Sequence, residues 1–160
     1  MKTLLVVYHS MTGGTAQMAQ AAAGAAAEVK TRLLRAESAG PDDLLAADGY
    51  IFATPETLAA IAGGMKEFLD RSYYPALGRI EGRPYAALIC AGSDGSNAAR
   101  QLARIATGWR LRPVANPLII CTNAQTPEAI LAPKTIAPAD LAACAALGGA
   151  LAAGLAMGIF

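Results

Sequence analysis

The sequence predicts an α/β fold of three layers, in which a five-stranded parallel sheet of order 2-1-3-4-5 carries helices on both faces. Three observations point there. Continuous apolar, β-rich runs alternate with helix-like segments along the whole chain, as in parallel sheets buried on both faces. Right-handed crossovers restrict how such units can be wound. No linker, internal repeat or low-complexity tract interrupts the alternation, so residues 1–160 are read as one domain.

The elements follow in order. Thr3 to His9 is a first strand, an unbroken apolar run. Thr15 to Ala27 is rich in Ala, Gln and Met, good helix formers apart from Gly24. Val29 to Leu34 forms a second strand. Pro41-Asp42-Asp43-Leu44-Leu45 reads as a helical turn, with Pro early and acids in the first turn. Tyr50 to Thr54 is a third strand, stopped by Pro55. Gly64 to Tyr74 is helical, with Met65, Phe68 and Leu69 on one face. Tyr85 to Cys90 is the fourth strand, and Asn97 to Trp109 a helix with Leu102, Ile105 and Ala106 inward. Val114 to Cys121 is a fifth strand, placed at the edge because it contains Pro117. Pro138 to Met157 closes the chain as a helix.

Composition narrows the function classes. Lys and Arg number 13 and Asp and Glu 12, a net charge of +1. That balance excludes a basic nucleic-acid surface and an acidic carrier that docks by long-range steering. The 54% hydrophobic fraction excludes intrinsic disorder. The 3 cysteines, Cys90, Cys121 and Cys144, are widely spaced and make no disulfide framework; a reducing cytoplasm is the expected compartment. Leu141 to Phe160 carries no charge, yet its Ala and Gly contribute little to membrane insertion. A buried last helix is expected there, not a membrane span.

In an open parallel sheet, ligands bind beyond the carboxyl ends of the strands, where strand order reverses. Ser10-Met11-Thr12-Gly13-Gly14-Thr15 follows strand one and leads into a helix. Free N–H groups and the positive dipole end at a helix start suit a phosphate, and the hydroxyls exceed what an N-cap needs. The loop has no Lys or Arg, so N–H and O–H donors would hold the anion. A P-loop and a G-x-G-x-x-G fingerprint are both missing. Thr54-Pro55-Glu56-Thr57-Leu58-Ala59 opens the connection after strand three, which reads as flexible, small and apolar. Ala91-Gly92-Ser93-Asp94-Gly95 follows strand four, where Asp94 or Ser96 could cap the next helix. His9, Cys90 and Trp109 are better explained by structure than by chemistry, Trp109 as a helix-end packing residue that leaves a subunit contact open. No metal-ligand cluster is visible.

These segments carry a resemblance. Ser10–Thr15 is similar to the S/T-x-T-G-x-T phosphate loop of flavodoxin-like proteins. Thr54-Pro55 through Gly63-Gly64-Met65-Lys66-Glu67-Phe68-Leu69-Asp70-Arg71 resembles the matching segment of NAD(P)H-dependent FMN and quinone reductases of that superfamily. The resemblance implies a flavodoxin-like three-layer α/β/α sandwich. It implies non-covalent FMN, with the phosphate at Ser10, Met11, Thr12, Gly13, Gly14 and Thr15, and the isoalloxazine bordered by Thr54, Pro55, Glu56, Thr57, Leu58, Ala59 and by Ala91, Gly92, Ser93, Asp94, Gly95. It further implies an oxidoreductase that takes NAD(P)H as co-substrate and reduces flavin, quinone or a similar planar acceptor. A one-electron carrier with a redox partner protein is the alternative. The chain departs from the reductase pattern at Thr57, where Tyr is frequent, and at Ala59 and Ala60, which replace Gly and Asn.

Overall fold

The computed structural model describes residues 1–160. The strands are β1 (Thr3–Tyr8), β2 (Lys30–Arg35), β3 (Gly49–Thr57), β4 (Ala60–Ile61), β5 (Pro84–Ala91), β6 (Arg112–Pro113) and β7 (Leu118–Cys121). The helices are α1 (Gly14–Ala25), α2 (Pro41–Ala46), α3 (Gly63–Ala76), α4 (Ser96–Gly108), α5 (Pro127–Leu131) and α6 (Pro138–Ala156). The main sheet runs β2-β1-β3-β5 and ends in β6 and β7, which both pair with β5. All of these pairings are parallel. Counted by expected strands, this is the order 2-1-3-4-5, a flavodoxin-like α/β fold.

Two apolar cores flank the sheet because successive side chains of a strand point to opposite faces. Leu5, Val7, Tyr50, Phe52, Ala87 and Ile89 pack under α2, α3 and α4 with Met65, Phe68 and Leu102. Leu4, Val6, Ile51, Ala53, Ala86 and Leu88 pack under α1 and α6 with Met18, Ala22, Leu151 and Leu155. The alanine bias shows its purpose on that second face. A methyl on Gly148 of α6 would stand 2.0 Å from the Ala22 carbonyl oxygen of α1, so the two helices pack backbone to backbone. Helix α6 is long and apolar enough to cross a membrane by length and composition; here it lies along α1, with Cys144, Leu151, Ala152 and Leu155 buried.

The structure corrects several expectations. Strand β3 does not stop at Pro55. Ala53 is the last residue paired with β1, and Pro55 still aligns with Cys90 of β5, so the missing N–H disrupts no pairing with β1. The strand then turns back on itself, with Glu56 opposite Ile61 and Thr57 opposite Ala60. The fifth strand is split: Pro117 lies outside it, and only Arg112–Pro113 and Leu118–Cys121 pair. It is the sheet's edge, as expected. Trp109 is 1% exposed; its indole N–H donates to the Tyr73 carbonyl at 3.1 Å, so it joins α3 to α4 inside the protein and offers no subunit contact.

Candidate functional site at the carboxyl edge of the sheet

The connection from β1 to α1 is shaped by its glycines. Gly13 caps α1 at φ 94°, a left-handed backbone that favours glycine. Gly14 is needed for a different reason: a methyl there would stand 2.8 Å from Cys90 Sγ. The Ser10 hydroxyl accepts the Gly13 N–H at 3.2 Å. The N–H groups of Met11, Thr12, Gly14, Thr15 and Ala16 meet no acceptor within the chain. Together with the positive end of the α1 dipole they form a cluster of donors facing the rim. Thr15 is buried. Burial pushes the Cys90 thiol's pKa up, while Thr15 and the Lys134 charge oppose the rise. A core thiol is the result.

His9 lies at the base of this loop. Its Nδ1 stands 2.5 Å from Glu37 Oε1, and a methyl on Gly64 would collide with its ring at 2.4 Å. His9 is thereby wedged between the segment after β2 and the start of α3. Burial raises the Glu37 pKa, but its own backbone N–H, His9 and Arg35 together bring it below the usual carboxylate value.

The segment after β3 is ordered where a flexible loop was expected. Leu58 and Ala59 form the two-residue turn of the β3–β4 hairpin at φ 50° and 63°. Such a turn normally recruits Asn or Gly. Helix α4 holds it from one side. The Asn97 amide donates to the Ala59 carbonyl, and Gln101 Oε1 accepts the Ile61 N–H at 2.8 Å. Glu56 closes the arrangement: its carboxylate accepts the Gly95 N–H at 2.9 Å and the Ala98 N–H at 3.1 Å. The expected cap from Asp94 or Ser96 is therefore supplied from another strand. Asp94 instead accepts the Ser96 N–H at 3.1 Å, and the Ser96 hydroxyl and N–H lower its pKa.

The structure thus brings the Thr54–Ala59 and Ala91–Gly95 segments into direct contact, with the Ser10–Thr15 loop on the same edge. Thr54 turns inward, its hydroxyl accepting the Ala62 N–H at 3.2 Å. Glu56 turns toward α4, which leaves backbone groups and small side chains to face a ligand. Leu58, at the hairpin tip, is 97% exposed. A second feature had no local signal in the sequence. The segment after β7 runs back beside the α1 loop, where the Lys134 N–H donates to the Thr12 carbonyl at 2.8 Å. It also borders a cavity of about 470 Å³ lined by Cys121, Thr122, Asn123, Lys134, Thr135 and Asp140 among others.

Known proteins with similar sequences and folds are the following. The family described as NADPH-dependent FMN reductase matches residues 39–126. A flavodoxin from Aquifex aeolicus is 31% identical over 98 residues, covering 59% of this chain and 53% of that protein. An NAD(P)H dehydrogenase (quinone) from Acidithiobacillus ferrooxidans is 35% identical over 96 residues, covering 45% and 48%. The chain spans about half the length of these curated relatives. Flavodoxin 1 from Bacillus cereus superposes with a TM-score of 0.78 at 19% identity, over 96% of this chain and 99% of that one. That likeness establishes the fold.

Proposed function

The chain belongs to the NADPH-dependent FMN reductase family, and from that premise we propose that residues 1–160 form one FMN-binding unit that reduces a small planar acceptor, a flavin or quinone, with NAD(P)H. The observation that carries this reading is the junction of the β1 loop with the first turn of α1, where the Met11, Thr12, Gly14, Thr15 and Ala16 N–H groups have no protein acceptor. A phosphate monoester supplies what they lack. In this reading Ser10 to Thr15 hold the phosphate. Thr54 to Ala59 and Ala91 to Gly95 border the flavin ring. The names of the relatives, one a flavodoxin and one a quinone dehydrogenase acting with NAD(P)H, support the same cofactor and the same class of acceptor.

Bound FMN would supply the hydride chemistry. The protein's part is to bind, to orient and to keep one face clear. The hairpin tip is fixed by Asn97, Gln101 and Glu56, so the ring meets a prebuilt edge. Thr57, Ala59 and Ala60 put no aromatic ring over that edge. A nicotinamide can therefore come into stacking distance, as hydride transfer requires. The near-neutral charge gives little steering toward a protein partner, which favours a small-molecule acceptor. Packing of α6 on α1 and the free state of all cysteines support a protein of the cytoplasm without a membrane span.

The test is titration of flavin-free protein with FMN and with riboflavin, then anaerobic mixing of the FMN form with NADH and NADPH. Preference for FMN, and bleaching of the flavin by a nicotinamide, are expected. Equal binding of both flavins would refute the phosphate assignment. A flavin that resists both nicotinamides and accepts electrons only from one-electron reductants would make the protein a carrier. Ala59→Trp should slow the nicotinamide reaction more than it changes FMN affinity.

A further inference from the structure

The loop before α1 contains no cation, yet the fold delivers one from far along the chain. Gln17, in the first turn of α1, grips the segment after α5 from both sides. Its Nε2 donates to the Lys134 carbonyl at 2.7 Å, and its Oε1 accepts the Ile136 N–H at 3.0 Å. The Lys134 N–H donates to Thr12 at 2.8 Å. A methyl on Gly14 would stand 3.4 Å from Lys134 Cβ. The Lys134 side chain therefore starts against the first turn of α1. Its ammonium donates to the Ile130 and Ala132 carbonyls at 2.7 and 2.6 Å, both neutral acceptors at the end of α5.

Arg35, which touches this loop, is already engaged. Arg35 donates to the Ser10 carbonyl at 3.0 Å, lies 5.3 Å over the Tyr8 ring and stands 3.5 Å from Glu37. The cavity beside Lys134 also contains Asp140, whose carboxylate would repel an anion lodged there. The side of Lys134 that suits an anion is the side of the α1 loop.

We propose that Lys134 is the counter-cation of the phosphate held at Ser10–Thr15. On binding, its ammonium leaves the two neutral carbonyls for a doubly charged acceptor, a stronger hydrogen-bond partner. The lysine stem is flexible and its three donors rotate freely, so the move needs no backbone change. This role rests on the FMN reading and adds to it a residue that sets the preference for phosphorylated over unphosphorylated flavin.

The experiment compares FMN and riboflavin binding by the full chain as wild type, Lys134→Met and Lys134→Arg, at low and at moderate salt. Lys134→Met should weaken FMN by about tenfold or more, the scale of a hydrogen bond to a charged group. It should leave riboflavin unchanged and flatten the salt dependence of FMN binding. Lys134→Arg should keep most of the preference. Equal loss of both flavins would mean that Lys134 only props the loop, and would overturn the proposal. So would an unchanged ratio of FMN to riboflavin affinity. Where the wild type prefers FMN and the Lys134→Met ratio is unchanged, this inference alone fails; where the wild type shows no preference, the phosphate reading fails with it. If Lys134→Met does not fold, Lys134→Gln carries the same comparison.

Discussion

Glu56 offers a sharp test of how this edge is built. Its two carboxylate oxygens accept the Gly95 N–H at 2.9 Å and the Ala98 N–H at 3.1 Å. These donors belong to the N-cap residue and the first turn of α4, where no helical acceptor exists. Glu56→Ala removes both bonds and leaves partly buried N–H groups unpaired. A lost N-cap costs about 0.5–2 kcal/mol, and the negative charge at the positive end of the helix adds roughly 0.3–1 kcal/mol. The expected loss for Glu56→Ala is about 0.8–3 kcal/mol, from those ranges together. At this chain length that lowers Tm by roughly 2–12 °C. Glu56→Gln keeps one accepting oxygen but loses the charge and the second acceptor, so about half the loss is expected. Urea unfolding followed by circular dichroism at neutral pH measures both variants against wild type. Because Asn97 ties the hairpin to the same helix, the Asn97→Ala and Glu56→Ala losses should not add independently. Wild-type stability in Glu56→Ala would refute the capping argument. Wild-type stability in Glu56→Gln would show that neither the charge nor the second acceptor matters.

Three further outcomes follow from individual contacts. Ala59→Gly should raise stability by about 0.5–1 kcal/mol, because φ 63° suits glycine better than a residue with a Cβ; a lower Tm would show that the turn is not strained. Cys121 is exposed, whereas burial raises the Cys90 thiol and pushes Cys144, also opposed by Asp140 and Cys90, up to about 11. Cys121 should therefore label first at pH 8 in the native protein, and equal labelling of all thiols would contradict the burial. Burial raises the Asp48 pKa, but the Thr3 N–H and the Lys2 ammonium outweigh it and hold the carboxyl below its ordinary 3.8. Its contribution is then present above the unfolded value and lost as pH falls through the lower folded one. Asp48→Asn should be less stable than wild type at pH 7, and the gap should close below pH ~3.8 as the carboxyl protonates; a gap that persists in strong acid would assign the loss to packing.

Local chemistry was enough for the framework. The apolar runs at Thr3–His9, Tyr50–Thr54 and Tyr85–Cys90 read as strands buried on both faces, and the helix-forming stretches between them implied parallel pairing and right-handed crossovers. Ser10–Thr15 was legible as a strand-to-helix junction for the same reason, since hydroxyls and glycines there follow an apolar run and precede helix formers within a few residues. What only the tertiary structure decided lies in contacts between segments far apart in the chain. Glu56, expected beside the ring, also caps α4, because an acceptor for a helix's free N–H groups can come from any strand that ends beside it. Gly14 looked like a phosphate glycine, yet Cys90 beneath it already requires the missing side chain. Leu58 and Ala59 adopt a turn that their side chains disfavour, held by hydrogen bonds from α4. Lys134 meets Thr12 through a single backbone hydrogen bond. Such pairings have no period and no composition. They exist because the packed sheet sets the distance between the ends of its strands, and that distance is a property of the whole fold.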